Sequence, residues 1–344
     1  MNIPYRTRRA LHTLGIVMLV LVLLGTVVWM VWLLWLDRYV VYSREGASID
    51  FNISVEHLSG EVAVPPEEQE TIAIYYNDGE NAISTSTELT QVYGYYLDSA
   101  ILQQQDLAVL TENIKSLPAG TTVMIEVKNI YGEFNYTSAL GPESAEVNIA
   151  AMDQLISYLR TSGIYTVAEV SAFRDYYYGL HNDEYGLPHI DGGYLWADDE
   201  YCYWLNPDSA GTMNYLINIV AELKSLGFDE VVFSEFRFPD TEDILYEGDK
   251  TESLNNAAAT LTANCVSETF AVSFVTDLES FTLPTGRTRA YIEGASASQA
   301  KSLAEQSGLT DPTIYMVFLT EAKDTRYDVY GVLRPITSAN FDDE

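Results

Sequence analysis

Apolar runs of strand length alternate with helix-period stretches from residue 92 onward, and this alternation limits the possible folds more than any other feature. The runs that have the length and composition of buried strands lie at 92–98, 121–129, 164–173, 230–238, 269–276, 289–294, 313–320 and 327–335. Helical patterns separate most of them, at 104–117, 144–163, 211–227, about 250–266 and 296–307. Repeated strand–helix units of this kind predict a parallel sheet.

The pattern predicts an α/β fold, and eight strand–helix units are the number that closes a (β/α)8 TIM-type barrel. Only a few residues join the last two strands, so we expect the later helices of the barrel to be thinned. A doubly wound open sheet is the alternative. No glycine-rich phosphate-binding fingerprint follows the first strand, which argues against the nucleotide-binding version of that sheet.

Residues 14–36 carry no charged side chain, and the stretch is long enough to cross about 30 Å of hydrocarbon as a helix. Arg6, Arg8 and Arg9 precede it, and three tryptophans lie near its far end, as in a span whose N-terminus stays in the cytoplasm. A cleaved signal peptide is the rival interpretation, but its apolar region is normally only about 7–15 residues long. We expect an uncleaved single-pass anchor with the remainder of the chain outside the cytoplasm.

The chain therefore divides into five predicted segments. They are a cytoplasmic basic tail at 1–13, a transmembrane helix at 14–36, a stalk with possible short strands at 37–88, the barrel at 89–338 and an acidic tail at 339–344. Within the stalk, the alternating stretches 49–58 and 71–76 are compatible with one small hairpin. Nothing in the stalk sequence indicates chemistry.

Acidic side chains outnumber basic ones by 50 to 18, which gives a formal net charge of −32. Such a surface repels a phosphate backbone, so we expect no nucleic-acid partner, and the charge is otherwise explained by solubility. The only cysteines are Cys202 and Cys265. We expect two buried thiols, although a disulfide between them stays open. No His/Cys cluster has zinc spacing, and we predict no metal and no cofactor.

In a TIM-type barrel the active site lies at the C-terminal ends of the strands and in the loops that follow them. The polar side chains that this chain carries there are Asp98, Glu126, Lys128, Glu169, Arg174, Asp175, Ser234, Glu235, Arg237, Asp277, Glu293 and Glu321. Paired carboxylates suit acid–base chemistry on glycosidic bonds. The longest loop, 174–207, holds nine Tyr and Trp residues, whose rings either stack on sugars or pack the loop onto the barrel.

Residues 204–239, WLNPDSAGTMNYLINIVAELKSLGFDEVVFSEFRFP, resemble the hallmark of a bacterial glycosyl hydrolase domain family with an amylase-like TIM-barrel and no assigned activity. In that family a W-[VL]-[ND]-P start leads into a helix and then into a G-F-D-E strand that ends in R-F-P. The segments 92–100, 122–138 and 163–175 resemble its first three strands. The resemblance covers 92–240 and thins out beyond. It implies the barrel fold, whereas its implication for activity is an analogy.

The residues that match the family's motifs are Glu126, Lys128, Arg174, Asp175, Asn206, Glu235 and Arg237. Ser234 departs from them, because the resemblance predicts an Asp there, in a pattern like F-D-x-x-R-F-P. A serine cannot act as the carboxylate nucleophile, and Glu235 points to the opposite face if the strand is regular. Glu235 reaches the mouth only if the strand bends or its inward parity differs. Otherwise we expect a structural ion pair between Glu235 and Arg237.

We therefore expect a membrane-anchored, extracytoplasmic glycoside hydrolase-like protein that acts on envelope or environmental polysaccharide by carboxylate acid–base catalysis. The predicted catalytic residues are Glu235, Glu126, Asp98 and Asp175, and the predicted substrate-binding residues are Lys128, Arg174, Arg237, Asn206, Trp196, Trp204 and Glu293. An internal ion pair is the structural alternative for Glu126 and Lys128. The functional alternative is a non-catalytic barrel that lost its nucleophile at Ser234 and binds glycan or an envelope partner. A scaffold without a ligand is a third, weaker hypothesis.

Overall fold

The computed structural model describes residues 88–336, the short segments 40–43 and 46–49, and the single positions Met18, Thr26 and Trp29. The chain forms two compact units, Met1–Ala82 and Ile83–Glu344. In the first unit, strands Val40–Ser43 and Gly46–Ile49 pair as an antiparallel hairpin. This hairpin lies before the stretches 49–58 and 71–76 that we expected to form one, and nearly all of those two stretches falls outside the described residues.

No helix in the described part of the chain is long and apolar enough to cross a membrane. The predicted transmembrane helix at 14–36 falls outside that part, except for Met18, Thr26 and Trp29. Most of the predicted stalk and the acidic tail at 339–344 fall outside it as well. The anchor, the stalk and the tail therefore remain predictions.

Eight parallel strands of the second unit close into a barrel. They are β1 Tyr93–Leu97, β2 Thr122–Lys128, β3 Tyr165–Ser171, β4 Glu230–Ser234, β5 Ala271–Val275, β6 Ala290–Glu293, β7 Met316–Leu319 and β8 Gly331–Pro335. Each strand pairs with the next in sequence order, and β8 pairs with β1 to complete the circle. All eight predicted strands are present, which confirms the TIM-type barrel and excludes the open doubly wound sheet.

Helices cover the outside of the barrel unevenly. Within 88–336 the α-helices are α1 Ser99–Gln104, α2 Leu107–Lys115, α3 Ile149–Ser162, α4 Tyr176–His181, α5 Ala210–Leu226, α6 Lys250–Cys265, α7 Ala300–Gln306 and α8 Pro312–Tyr315. The last two are short, and the described loops after β5 and β7 contain no helix. The expected thinning of the later helices is confirmed. Helix α5 ends where expected, at Gly227, whose φ of 93° suits a glycine C-cap.

The interior of the barrel is filled in layers, as in other barrels of this type. The central layer is apolar and consists of Val92, Met124, Val167, Val232, Tyr291, Val317 and Leu333. Gly94 on β1 is required by close packing, because a Cβ there would overlap the backbone carbonyl of Thr122. The apolar layer separates the C-terminal mouth from the opposite end of the barrel.

A buried ion pair occupies the N-terminal end of the barrel. The guanidinium of Arg289 contacts the carboxylate of Glu230, and both side chains are almost fully enclosed. Glu230 also accepts hydrogen bonds from the hydroxyls of Tyr165, Ser273 and Tyr291. The remaining Arg289 donors reach the carbonyls of residues 90 and 314. This charge pair is far from the strand ends that carry chemistry, so we assign it to stability.

Candidate active site

A cavity of about 610 Å³ opens at the C-terminal end of the barrel, where TIM-barrel enzymes hold their active sites. Six carboxylates line it, namely Asp98, Glu126, Glu169, Glu235, Asp277 and Glu293. Arg237 is the cationic side chain in the lining, and Tyr96 and Phe236 add ring surface. Burial, followed by the charge of Asp98, raises the pKa of Tyr96 to about 12. The mouth is therefore strongly acidic and only partly apolar.

Glu126 and Glu169 line this cavity side by side, because they are register partners on the adjacent strands β2 and β3. Burial raises the pKa of Glu126, although a hydrogen bond of 2.6 Å from the backbone N–H of Ser99 opposes the effect. Burial raises the pKa of Glu169 well above its ordinary value, and the charges of Glu126 and Glu293 raise it further. The hydroxyl of Ser234 hydrogen-bonds to Glu169 and acts in the other direction. The net effect therefore favours the protonated form of Glu169.

Sequence reasoning named Glu169 among the strand-end residues but predicted no role for it. A usable signal was present, because Glu126 and Glu169 each lie four residues after the start of their strands. Two acids at the same register position of neighbouring parallel strands lie side by side on the same face of the sheet.

We expect Glu169→Gln to raise the melting temperature at pH 7. A carboxyl whose pKa is raised by folding costs stability once the pH rises above its unfolded value, and Gln carries no charge. The advantage of the variant should shrink towards pH 4, where the wild-type side chain is protonated in the folded state and mostly protonated in the unfolded state. Thermal unfolding of both proteins between pH 4 and pH 8 measures this. A melting temperature lowered equally at every pH would contradict it.

Strand β4 ends at Ser234, and the backbone changes direction at the next residue. Glu235 has a φ of 49°, a left-handed conformation that costs a non-glycine residue about 1–3 kcal/mol and that concentrates at functional sites. The change breaks the alternation of a regular strand, so both Ser234 and Glu235 line the cavity. Glu235 therefore enters the mouth by a bend in the strand, which is one of the two routes that the sequence left open.

Two guanidinium groups hold the Glu235 carboxylate. Arg237 Nη2 lies 2.8 Å from Glu235 Oε2, and Arg174 Nη1 lies 3.5 Å from Glu235 Oε1. Arg174 is fixed in turn by Asp198 at 2.6 Å, and the indole N–H of Trp204 donates to the same Asp198 oxygen at 3.0 Å. Burial opposes these hydrogen bonds, but the net effect lowers the pKa of Asp198. Of the predicted binding residues, Arg174 and Trp204 therefore position other groups, and Arg237 lines the cavity.

Glu293 is the last residue of β6, and its side chain lines the cavity. Partial desolvation, followed by the charge of Glu235, raises the pKa of Glu293. In contrast, hydrogen bonds from Ser280 outweigh burial and lower the pKa of Asp277. Carboxyl groups of one site whose pKa values are pushed in opposite directions are the usual arrangement for acid–base catalysis.

Asp98 lines the cavity and also caps a helix. Its carboxylate accepts a hydrogen bond of 2.8 Å from the backbone N–H of Ile101, at the start of α1. We expect Asp98→Ala to lower the free energy of unfolding by about 1 kcal/mol, whereas Asp98→Asn keeps the cap and most of the stability. Chemical denaturation of the two variants tests the capping role. Equal losses in both variants would contradict it, and activity lost in a stable Asp98→Asn protein would point to a role in the site.

Asp175 and Lys128 do not line the mouth, contrary to the predicted catalytic and binding roles. They form a fully buried salt bridge of 2.7 Å. Asp175 also caps α4 and accepts a hydrogen bond from the hydroxyl of Tyr215. A register shift between Glu126 and Lys128 interrupts the regular alternation of β2, so Lys128 does not line the mouth beside Glu126. Lys128 therefore pairs with Asp175 and not with Glu126, the partner in the structural alternative that the sequence offered, and this pair ties the loop after β3 to β2.

The two remaining predicted binding residues also lie outside the mouth. Asn206 accepts a hydrogen bond of 3.0 Å from the backbone N–H of Asp208, in the turn before α5, which is a local structural role. Trp196 is half-buried and lines two neighbouring cavities instead. Both cysteines are buried free thiols, as expected. Within the described residues, no group of three or more His, Cys, Asp or Glu side chains is placed to hold a metal ion.

The closed barrel and its mouth define the class as a TIM-barrel protein with a carboxylate-lined site at the C-terminal ends of the strands. A family model with the description "Putative glycosyl hydrolase domain" matches residues 96–276, just over half of the chain. The chain belongs to this family, as the resemblance over 92–240 predicted. No curated protein matches the chain.

Several solved structures are similar to this chain at low identity. A hypothetical protein from Ruminiclostridium thermocellum is 21% identical, with 52% of this chain and 96% of that one covered and a TM-score of 0.45. An exo-β-N-acetylglucosaminidase from Vibrio harveyi is 10% identical, with 73% and 51% covered and a TM-score of 0.47. The glycoside hydrolase domain of PelA from Pseudomonas aeruginosa is 14% identical, with 72% and 96% covered and a TM-score of 0.41.

Proposed function

We propose that this protein is a glycoside hydrolase in which Glu293 is the general acid and Glu235 is the nucleophile or the general base. One observation carries the proposal: the two carboxylates line the same barrel mouth in opposite electrostatic settings. Glu235 lies against two guanidinium groups, whereas the pKa of Glu293 is raised by partial desolvation and by the charge of Glu235. This division of labour between two carboxyl groups is what glycosidic bond cleavage requires.

In the proposed reaction, protonated Glu293 donates its proton to the oxygen of the leaving sugar as the glycosidic bond breaks. Glu235 either attacks the anomeric carbon or activates the water that does so. The separation of the two carboxyl groups in the substrate complex decides between these routes, since about 5–5.5 Å leads to retention and about 6.5–9.5 Å to inversion. The resemblance predicts a carboxylate at the end of β4, at position 234, where this chain has a serine. In the proposed reaction Glu235 supplies that carboxylate instead.

We also propose that the substrate is an envelope or environmental polysaccharide and that the barrel lies outside the cytoplasm, held by a single N-terminal anchor. The uncharged stretch 14–36 and the arginines before it support this arrangement. Protease added to intact cells should digest the barrel. Complete protection, with digestion only after lysis, would place the barrel on the cytoplasmic side.

Reducing-sugar release by the purified full-length protein tests the activity. Wild type and Glu235→Gln are compared on a panel of bacterial and plant polysaccharides. Glu305→Gln is the matched control, because Glu305 is an exposed glutamate on α7, outside the mouth. We expect release by wild type and the control, and loss of it in Glu235→Gln. Release that survives Glu235→Gln would overturn the assignment of Glu235, and no release from any polysaccharide would overturn the hydrolase proposal.

A non-catalytic glycan-binding barrel is the second candidate, and Ser234 is the observation that favours it. Ser234 lines the mouth at the end of β4, where the resemblance predicts an aspartate. Under this hypothesis wild type binds polysaccharide without cleaving it, and Ser234→Asp, which returns a carboxylate to that position, gains hydrolysis. Under the hydrolase proposal, Ser234→Asp loses activity, because the new charge lies beside Glu169.

A further inference from the structure

Three cavities adjoin one another along the loop that follows β3. The mouth cavity shares Arg237 with a second cavity of about 480 Å³. That second cavity shares Trp196 with a third one of about 610 Å³, which is also lined by Tyr194 and Tyr203. Each has the volume of a small-molecule binding site. The shared side chains place the three in a row that starts at the proposed catalytic pair.

The loop that forms this row is held in place by its own contacts. Asp198 binds both Arg174 and the indole of Trp204, and its other oxygen accepts backbone N–H groups at residues 200 and 202. The backbone N–H of Trp196 donates to the carbonyl of Leu187 at 3.0 Å. The aromatic rings of this loop are therefore held by a fixed backbone, which a site that positions successive sugars requires.

The chemistry of the row suits sugar rings. Trp196 is half-buried and accessible from two cavities, and Tyr194 is 57% exposed and stacks on His189 at 4.7 Å. Rings with an apolar face and a polar edge contact the faces and hydroxyls of carbohydrates. The second cavity is lined by five carboxylates, which outnumber its two guanidinium groups, Arg174 and Arg237; the carboxylates are Asp198, Asp199, Glu200, Asp240 and Asp243. A polyanionic chain would be repelled along this path.

We infer that the row is an extended substrate groove, which binds a linear polysaccharide that is neutral or carries amino groups, over several consecutive sugars. The inference rests on the proposed function, since it deepens the description of the same site. Trp196 lies midway along the groove and supports a sugar remote from the cleaved bond. Arg237 lines both the mouth and the second cavity, so we place consecutive sugars of one chain in both. Remote contacts of this kind raise the catalytic efficiency for longer substrates.

Affinity electrophoresis of the full-length protein tests binding separately from cleavage. The gels contain glycol chitosan, xylan or pullulan as amino-bearing and neutral polymers, and alginate as the polyanion. The proteins are wild type, Trp196→Ala and Tyr194→Ala. Tyr93→Ala is the control, because Tyr93 is an equally exposed tyrosine (57%) at the opposite end of the barrel. Thermal unfolding of each variant identifies any loss of folding, and the more exposed Tyr194 keeps the test valid if Trp196→Ala unfolds.

We expect at least one neutral or amino-bearing polymer to retard wild type and Tyr93→Ala, with the apparent affinity at least about tenfold lower in Trp196→Ala or Tyr194→Ala. Retardation in alginate alone, no retardation in any gel, or retardation unchanged in both variants would overturn the groove. Cleavage of short glycosides without retardation would overturn the groove and leave the hydrolase proposal intact. Retardation that both variants lose, without any cleavage, would support the groove and overturn the hydrolase proposal.

Discussion

Glu293→Gln is expected to lower kcat for polysaccharide hydrolysis by about 10²–10⁴-fold, the usual contribution of a general acid. Gln keeps the size of the side chain but cannot donate a carboxyl proton to the leaving oxygen. The loss should be much smaller for aryl glycosides with acidic phenol leaving groups, because such groups depart without full protonation. Comparison of kcat for the two substrate types in wild type and Glu293→Gln measures this. Glu305→Gln is again the control for an exposed glutamate.

The same residue should set the alkaline limb of the pH profile. Partial desolvation and the charge of Glu235 raise the pKa of Glu293, so its carboxyl stays protonated to a higher pH than an ordinary glutamic acid. A general acid works only while protonated, so kcat/KM falls as the pH rises through this raised value. Glu293→Gln should abolish that limb for aryl glycosides. Persistence of the alkaline limb in Glu293→Gln would assign the proton to another group, and Glu169 is then the first alternative.

The fold was predictable because the barrel leaves a strong local pattern in the chain. Each strand of a parallel barrel is covered on both faces, so it appears as a short continuous apolar run, and each predicted run here overlaps one observed strand. Alternation with helices then fixed parallel pairing. Strand boundaries were less accurate. The apolar run at 230–238 predicts one strand, whereas β4 ends at Ser234 in the structure.

The site was only partly predictable, because pairing between charges depends on bends that a sequence does not display. Glu235 reaches the mouth because its own backbone is left-handed directly after Ser234. Lys128 leaves the mouth because the strand register shifts after Glu126. Asp175 is a strand-end carboxylate like the others by sequence, but its partners are a buried lysine and a helix N-terminus. Position at a strand end predicted the region of the site correctly. The role of each carboxylate required the three-dimensional contacts.

Arg289→Met is expected to lower the free energy of unfolding by about 3–5 kcal/mol, because it leaves Glu230 charged and unpaired inside the barrel. For a domain of this size the loss corresponds to a fall in melting temperature of roughly 6–20 °C. Glu230→Gln should cost less than Arg289→Met. Gln retains an acceptor for the hydroxyls of Tyr165 and Tyr291, and the arginine keeps its bonds to the carbonyls of residues 90 and 314. Chemical denaturation of the three proteins measures these differences.

The double variant Glu230→Leu/Arg289→Met distinguishes the ion pair from simple packing. Removing both charges leaves no unpaired ion, so the double variant should be more stable than Arg289→Met alone, although the two tyrosine hydroxyls lose their acceptor. Lys301→Met is the control, since Lys301 forms an exposed pair with Glu305 at 3.7 Å and its loss should leave the melting temperature unchanged. A double variant less stable than Arg289→Met would mean that shape, rather than charge compensation, holds this end of the barrel together. Because the pair lies at the end opposite the mouth, any stable variant of it should keep the wild-type pH profile of hydrolysis.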